Sequence, residues 1–353
     1  MKLAIIGLPQ SGKSTVFNAL TGSGEAPTMS GSRVEVKQAI VDVPDERLMK
    51  LAELYKSKKI VRAQISFADV AGFAEGAGGQ GLSAALLNAL SGMDGLLLLL
   101  RAFEDDSVPH SAGSIDPGRD LQFFIEELML NDLITVERKL ERLAEEKGKP
   151  GRDAAAMERD QTLFARVSAG LNDGVPLREQ AIEEGERDSL AGLGLLTQKE
   201  ILVVVNLGEG QAEIDLGEQT LQVLTLQGKL EMELAQLPPD ELAEFQSEYG
   251  IEESSSQRII RASYELMNTQ SFYTVAEKEA HAWMLRKGAS ALEAAYTIHS
   301  DIARGFIRAE IIGGDELLEL GSMAKARDAG RLRLEGKSYT IQDGDILNVR
   351  FNV

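Results

Sequence analysis

The sequence predicts an α/β protein with a largely parallel sheet, a helical insertion and a compact β-rich C-terminal module carrying one or two helices. Three observations predict it. Short aliphatic or β-branched runs alternate with helical patterns through the first hundred residues. A helical apolar stripe then interrupts that alternation, and after Gln270 short strand-like segments alternate with Gly-Asp turns.

The runs expected to form strands are 2–6, 38–41, 64–68, 95–100, 201–205 and 221–226. Runs 96–100 and 201–205 are almost wholly aliphatic, which suits strands covered on both faces. Between the fourth and fifth runs, Met129, Leu133, Val136, Leu140 and Leu143 recur at alternating spacings of four and three. Charged residues fill the other faces, and 148–151 breaks the pattern before a second helical stretch with Leu163 and Val167. This reads as an antiparallel helical arm, with two ordinary surface helices as the plainer alternative. In the C-terminal module, 308–312, 338–341 and 346–351 are strand-like, with turns at Gly314-Asp315 and Gly344-Asp345. The resulting domains are 1–119 with 197–269, the arm 120–196, and 270–353.

At 353 residues the chain can bury more than one core. It has no cysteine, so disulfides, zinc thiolates and a cysteine nucleophile are excluded, as suits a reducing cytoplasm. The sequence starts on a strand-like run rather than a signal peptide, and its longest apolar run, 96–100, is too short to span a bilayer. The net charge of −19 argues against broad binding to nucleic acid, and no preference for free DNA is expected. From Phe272 onward there are 11 basic and 12 acidic residues, so nearly all of the excess charge lies upstream.

Gly7-Leu8-Pro9-Gln10-Ser11-Gly12-Lys13-Ser14-Thr15 matches G-x-x-x-x-G-K-[ST] between a strand and a helix-compatible segment. Its glycines allow several N–H groups to converge on phosphate oxygens beside a helix N-terminus. Lys13 supplies a positive charge near the β- and γ-phosphates, the Ser14 hydroxyl can ligate Mg²⁺, and Thr15 can support the phosphate contacts. Asp69-Val70-Ala71-Gly72 follows the third strand. Asp69 can hold a Mg²⁺-bound water, and Gly72 can offer its N–H to a γ-phosphate. Phe73 then stands where many GTPases carry a water-orienting glutamine. The glycine-rich run after it, 75–81, is either a loop that orders on the γ-phosphate or an ordinary surface loop.

The base-reading segment is expected at Asn206-Leu207-Gly208-Glu209. Relative to N-K-x-D, Leu207 replaces lysine and Glu209 a short aspartate, so adenine becomes credible. Asn206 can approach a purine or brace the phosphate loop, and Leu207 can pack on the base. Of the three histidines, His110 lies in a loop near the nucleotide side, either solvated or positioning water. Trp283 reads as a packing residue.

These residues resemble the YchF/Obg-like ATPases, and the resemblance runs over nearly the whole chain. It rests on 7–15, on 69–72 and the glycine-rich run beyond, on Phe103-Glu104-Asp105-Asp106 with His110, and on 206–209. It is most specific in the tail, at Lys278-Glu279, Ala282-Trp283, Ile298-His299, 304–310, 334–337, 342–345 and 350–353. The resemblance implies a P-loop GTPase-like domain, a coiled-coil insertion and a small α+β, β-grasp-like TGS domain. It also implies ATP preferred over GTP, Mg²⁺-dependent hydrolysis, association with ribosomes and a cytoplasmic location; separately, the chain is expected to be a monomer. By correspondence Gln10, Ser11, Gly12, Lys13, Ser14 and Thr15 bind phosphates, Ser14 and Asp69 serve the metal, and Asn206, Leu207 and Glu209 surround the base. Lys13 and His110 are then the residues implied in hydrolysis. Two departures stand out. The family's T-I-E-P-N segment is replaced by Met29-Ser30-Gly31-Ser32-Arg33-Val34-Glu35-Val36, and its usual loop asparagine by Gln10. A GTPase, or a nucleotide-responsive module that scarcely hydrolyses, are the alternatives.

Overall fold

The computed structural model describes residues 1–22, 36–70, 82–147, 149, 153–217, 220–249 and 253–352. Gly72, Phe73, the 75–81 run and the segment around Arg33 lie outside them. The strands in chain order are β1 (Lys2–Ile6), β2 (Val36–Asp42), β3 (Ile60–Val61), β4 (Gln64–Val70), β5 (Gly95–Arg101), β6 (Glu200–Asn206), β7 (Gln222–Leu226), β8 (Thr269–Val275), β9 (Ala280–Arg286), β10 (Phe306–Gly313), β11 (Arg333–Glu335) and β12 (Asp345–Phe351). The six runs expected in the nucleotide-binding half therefore form strands, with ends differing by one or two residues.

The chain divides into two compact units, Met1–Ala39 with Phe67–Ser256, and Ile40–Ser66 with Gln257–Val353. The sequence reading kept 40–66 and 257–269 with the phosphate loop; the structure groups them with the C-terminal residues. The reason is local pairing. β3 adds in parallel to β9, with Ile60 opposite Ala280.

The first unit is built on a sheet ordered β2-β4-β1-β5-β6-β7. β1 pairs β5, β5 pairs β6 and β6 pairs β7, all in parallel. β5 sits between two strands and every one of its residues is buried, as its leucine run requires. With β1, β5 and β6 parallel, the loops leaving their carboxyl ends gather on one edge of the sheet, the edge where ligands of such sheets bind.

The insertion is a helix Pro117–Glu146 followed by a helix Ala154–Asn172. The first starts on Pro117, with Asp116 accepting the Arg119 N–H as its cap. Val136, Leu143, Leu163, Phe164, Val167 and Leu171 form a shared core, with Met129, Leu133 and Leu140 packed on it. The stripe read from the sequence is thus the seam between two helices. No helix among the described residues is long and apolar enough to cross a membrane.

The second unit is a mixed sheet ordered β11-β10-β12-β8-β9-β3. Its core joins Phe272, Phe306, Ala309, Ile311 and Leu347 to Ala291, Ala294 and Ala295 of the helix Ala291–Ile298. Ser290 and Glu293 close a reciprocal cap at that helix's start. Trp283 is a packing residue: its ring stacks on His281 at 3.6 Å and its Nε1 donates to Thr274 Oγ1 at 2.9 Å. Two expectations are corrected here. Residues 338–341 form no strand, only an isolated bridge between Ser290 and Thr340, made by Ala291 N–H to Tyr339 O and Ile341 N–H to Ala289 O. The helices also exceed one or two: Ser300–Arg304, Gly314–Leu320 and Met323–Asp328 add short ones.

Candidate functional site

The phosphate loop leaves β1 at Gly7 and re-enters helical geometry at Lys13, the first residue of the helix Lys13–Thr21. Gly7 must be glycine on packing grounds, since a Cβ there would meet Leu99 O at 2.5 Å. Gly12 must be glycine on two grounds: its φ is +91°, and a Cβ would come within 2.4 Å of Asn206 Nδ2. Gln10 also lies in the left-handed region, at φ 64°. Asparagine tolerates that region better than glutamine, so the substitution places a less suited residue at a strained turn.

Lys13 Nζ donates to Gly7 O at 2.9 Å and Leu8 O at 2.8 Å, bridging the mouth of its own loop. Burial pushes its pKa down to about 8, with the charge of Asp69 opposing the shift. Ser14 Oγ donates to Asp69 Oδ2 at 2.8 Å, joining the helix start to the end of β4. Asp69 is buried, and the two groups form a pair of hard oxygen donors beside the phosphate loop. Thr15 is half-buried on the same helix start, and Ser11 is buried, its Oγ without a hydrogen-bond partner among the described residues.

Asn206, the last residue of β6, is the brace. Its Nδ2 donates to Ser11 O at 3.0 Å, and its Oδ1 accepts the Gly228 N–H at 2.9 Å. Gly228 belongs here because a Cβ would meet Asn206 Oδ1 at 2.8 Å. The segment beyond is placed unequally. Leu207 is buried within the core cluster under the sheet, whereas Glu209 is exposed on the loop. Gln211 ties that loop down, accepting Gly208 N–H at 2.8 Å and donating to Ala102 O at 3.1 Å.

His110 is tucked away from solvent. Its Nδ1 accepts the Ala112 N–H at 3.1 Å, so the neutral ring carries its proton on Nε2. That Nε2 stands 3.1 Å from Asp120 Oδ2 without hydrogen-bond geometry, both side chains being only 4 % exposed. Asp120 is in turn held by Arg119, whose Nη2 reaches Oδ1 at 2.7 Å.

The structure thus gathers Ser11, Gly12, Lys13, Ser14, Asp69 and Asn206, and keeps His110 turned toward the insertion helix. Sequence reasoning missed Arg101, Asp120, Asp132 and Gly228. Arg101 carried one signal, a charge directly after an all-leucine strand; nothing in the local sequence marks the others.

Such a cradle is made for phosphate, and with a parallel sheet behind it the fold defines the class: a P-loop nucleotide-binding protein. Residues 2–139 match a family model described as a 50S ribosome-binding GTPase. Residues 269–352 match the YchF-GTPase_C model, described as a protein of unknown function. The "Ribosome-binding ATPase YchF" of Bacillus subtilis is 37 % identical over 99 % of this chain and 98 % of its own. "Obg-like ATPase 1" of Oryza sativa subsp. japonica is 36 % identical over 100 % of this chain and 92 % of its own. The structure of the Schizosaccharomyces pombe YchF GTPase superposes with a TM-score of 0.86 at 29 % identity, covering 99 % of this chain and 97 % of that one. The chain belongs to the YchF/Obg-like family of P-loop ATPases and GTPases.

Proposed function

We propose that the chain is a Mg²⁺-dependent ATPase that binds the ribosome and works as a translation-associated switch. The observation that carries the enzymatic half is the Ser14–Asp69 contact at 2.8 Å beside Lys13. A hydroxyl and a carboxylate suit Mg²⁺, which keeps several waters and takes its remaining ligands from phosphates. Held by Ser14 and Asp69, that ion would supply positive charge to neutralise the charge that develops on the phosphates. Lys13 would exchange its two loop carbonyls for phosphate oxygens, and Gln10 to Thr15 would line the cradle. Gly72 would add a backbone N–H. His110 would position the attacking water only after leaving Asp120, because both its ring nitrogens face protein groups.

Leu207 and Glu209 support ATP over GTP. The site lacks the lysine and the short carboxylate of a guanine reader, and Glu209 is exposed at the loop rather than fixed toward a base edge. Parallel titrations with ATP and GTP test this: GTP binding at least tenfold tighter, about 1.4 kcal/mol, would sink the assignment.

The ribosomal half draws on the names of the relatives, "Ribosome-binding ATPase YchF" among them. Charge supports a restricted contact. The C-terminal unit has 19 basic and 17 acidic residues, whereas the rest of the chain has 18 and 39. RNA contacts therefore belong to the C-terminal unit, read as TGS-like with a β-grasp-like sheet, and to restricted points on the arm. A cytoplasmic monomer is the matching state. Sedimentation with ribosomal subunits over a salt series tests the contact.

The enclosed position of His110 favours a second reading, a nucleotide-responsive module that scarcely hydrolyses. Single-turnover hydrolysis with Mg²⁺ separates the two: bound ATP intact after hours supports the module.

A further inference from the structure

Arg101 ends β5 and is 2 % exposed, yet among the described residues no carboxylate hydrogen-bonds it. Its donors go to main-chain carbonyls instead. Nε reaches Phe103 O at 3.1 Å, Nη2 reaches Val108 O at 2.7 Å, and Nη1 approaches Gln10 O at 3.5 Å. The guanidinium also lies 4.4 Å from the centre of the Phe103 ring. Burial pushes its pKa down, and the charge of Asp105 opposes the shift. A buried cation satisfied by carbonyls alone is costly, and packing the sheet does not require one, since a leucine would continue β5.

The carbonyls come from two places that matter. Gln10 is the left-handed corner of the phosphate loop. Val108 lies two residues before His110, in a stem tightened by Asp105, whose Oδ1 accepts Ser107 N–H at 2.9 Å. Beyond the stem, the His110 ring meets Ala112 N–H and Asp120. The stem is therefore fixed to the phosphate loop, while the histidine end is held by contacts that can be exchanged.

We propose that Arg101 is a positioning residue that couples the phosphate loop, through Gln10 O and Val108 O, to the placement of His110 for hydrolysis. The proposal rests on the reading of His110 as the water-positioning group. Only a planar fork can reach three carbonyls and stack on Phe103 together, so lysine should not substitute.

The experiment measures ATP affinity and single-turnover hydrolysis, with Mg²⁺, for the full chain carrying Arg101→Lys, His110→Ala or both; Arg101→Gln replaces the lysine variant if that fails to fold. The expected result is ATP affinity within about threefold of wild type for Arg101→Lys, with hydrolysis slowed about tenfold or more (about 1.4 kcal/mol). The double variant should then be no slower than His110→Ala alone. A merely structural clamp gives a different pattern, with affinity and hydrolysis falling together and the two substitutions multiplying; either result overturns the coupling. A wild-type rate in Arg101→Lys overturns it too. His110→Ala at the wild-type rate removes the His110 reading and the coupling with it, whereas a slow His110→Ala with a multiplicative double variant removes the coupling alone.

Discussion

Ser14 Oγ and Asp69 Oδ2 lie 2.8 Å apart, although 55 positions separate them in the chain. The first residues of a helix and the end of a strand meet there because β1 and β4 are neighbours in the sheet. Replacing Asp69 by asparagine should weaken Mg²⁺–ATP binding at least tenfold, about 1.4 kcal/mol, and leave the weaker Mg²⁺-free binding nearly unchanged. Calorimetric titrations with Mg²⁺ and with a chelator check this. Equal losses in both conditions would mean that the carboxylate shapes the loop rather than serving the metal.

Asn206 should be worth more to the fold than an exposed loop asparagine. Its alanine variant leaves the Ser11 carbonyl and the Gly228 N–H, both buried, without partners. At about 1–3 kcal/mol for each unsatisfied group, a loss of about 2–6 kcal/mol in unfolding free energy follows, with weaker nucleotide binding. Urea denaturation measures the first and ATP titration the second. A variant as stable as wild type contradicts the brace.

Asp132 should anchor the insertion. Buried in its first helix, it accepts from Leu196 N at 2.8 Å, Thr197 N at 2.7 Å and Thr197 Oγ1 at 2.7 Å, immediately before β6. Asp132→Ala should cost about 2–4 kcal/mol by leaving those N–H groups buried and unpaired. Amide exchange should accelerate first at Leu196 and Thr197. Exchange unchanged there would refute the anchor.

Lys13 sets a pH dependence. Its pKa in the fold, about 8, lies below the usual lysine value near 10.5. Between those values the unfolded chain holds the extra proton, so this group's contribution to stability rises as pH climbs from about 8 to 10.5. Triphosphate favours the charged ammonium, which reverses the effect for binding: ATP affinity should fall as pH rises above about 8, with proton uptake on binding. Titrations at pH 8.5 in buffers of different ionisation enthalpy read the uptake directly. Proton release would reverse the sign and reject the assignment of Lys13 to phosphate.

The phosphate loop was legible because its chemistry is local: glycines, lysine and serine act within nine consecutive residues, and the strand and helix beside them follow from periodicity. Asp69 was legible for the same reason, as a carboxylate at a strand end. Arg101 and Asp132 were not, because their partners lie at Gln10, Leu196 and Thr197, brought together only by sheet order and helix packing. The grouping of 40–66 with the C-terminal unit was hidden likewise, since β3 is two residues long and acquires its meaning from β9. His110 was placed correctly in a loop after β5, but its contact with Asp120 depends on how the insertion helix begins.

Lys13 and its loop are proposed to grip the triphosphate of ATP. The most direct test is ATP titration with Mg²⁺ on the wild-type chain and on Lys13→Ala, with melting temperature followed in parallel. Lys13→Ala should lose ATP affinity at least a hundredfold, about 2.7 kcal/mol, while still folding. Unchanged ATP affinity in the folded variant would contradict it.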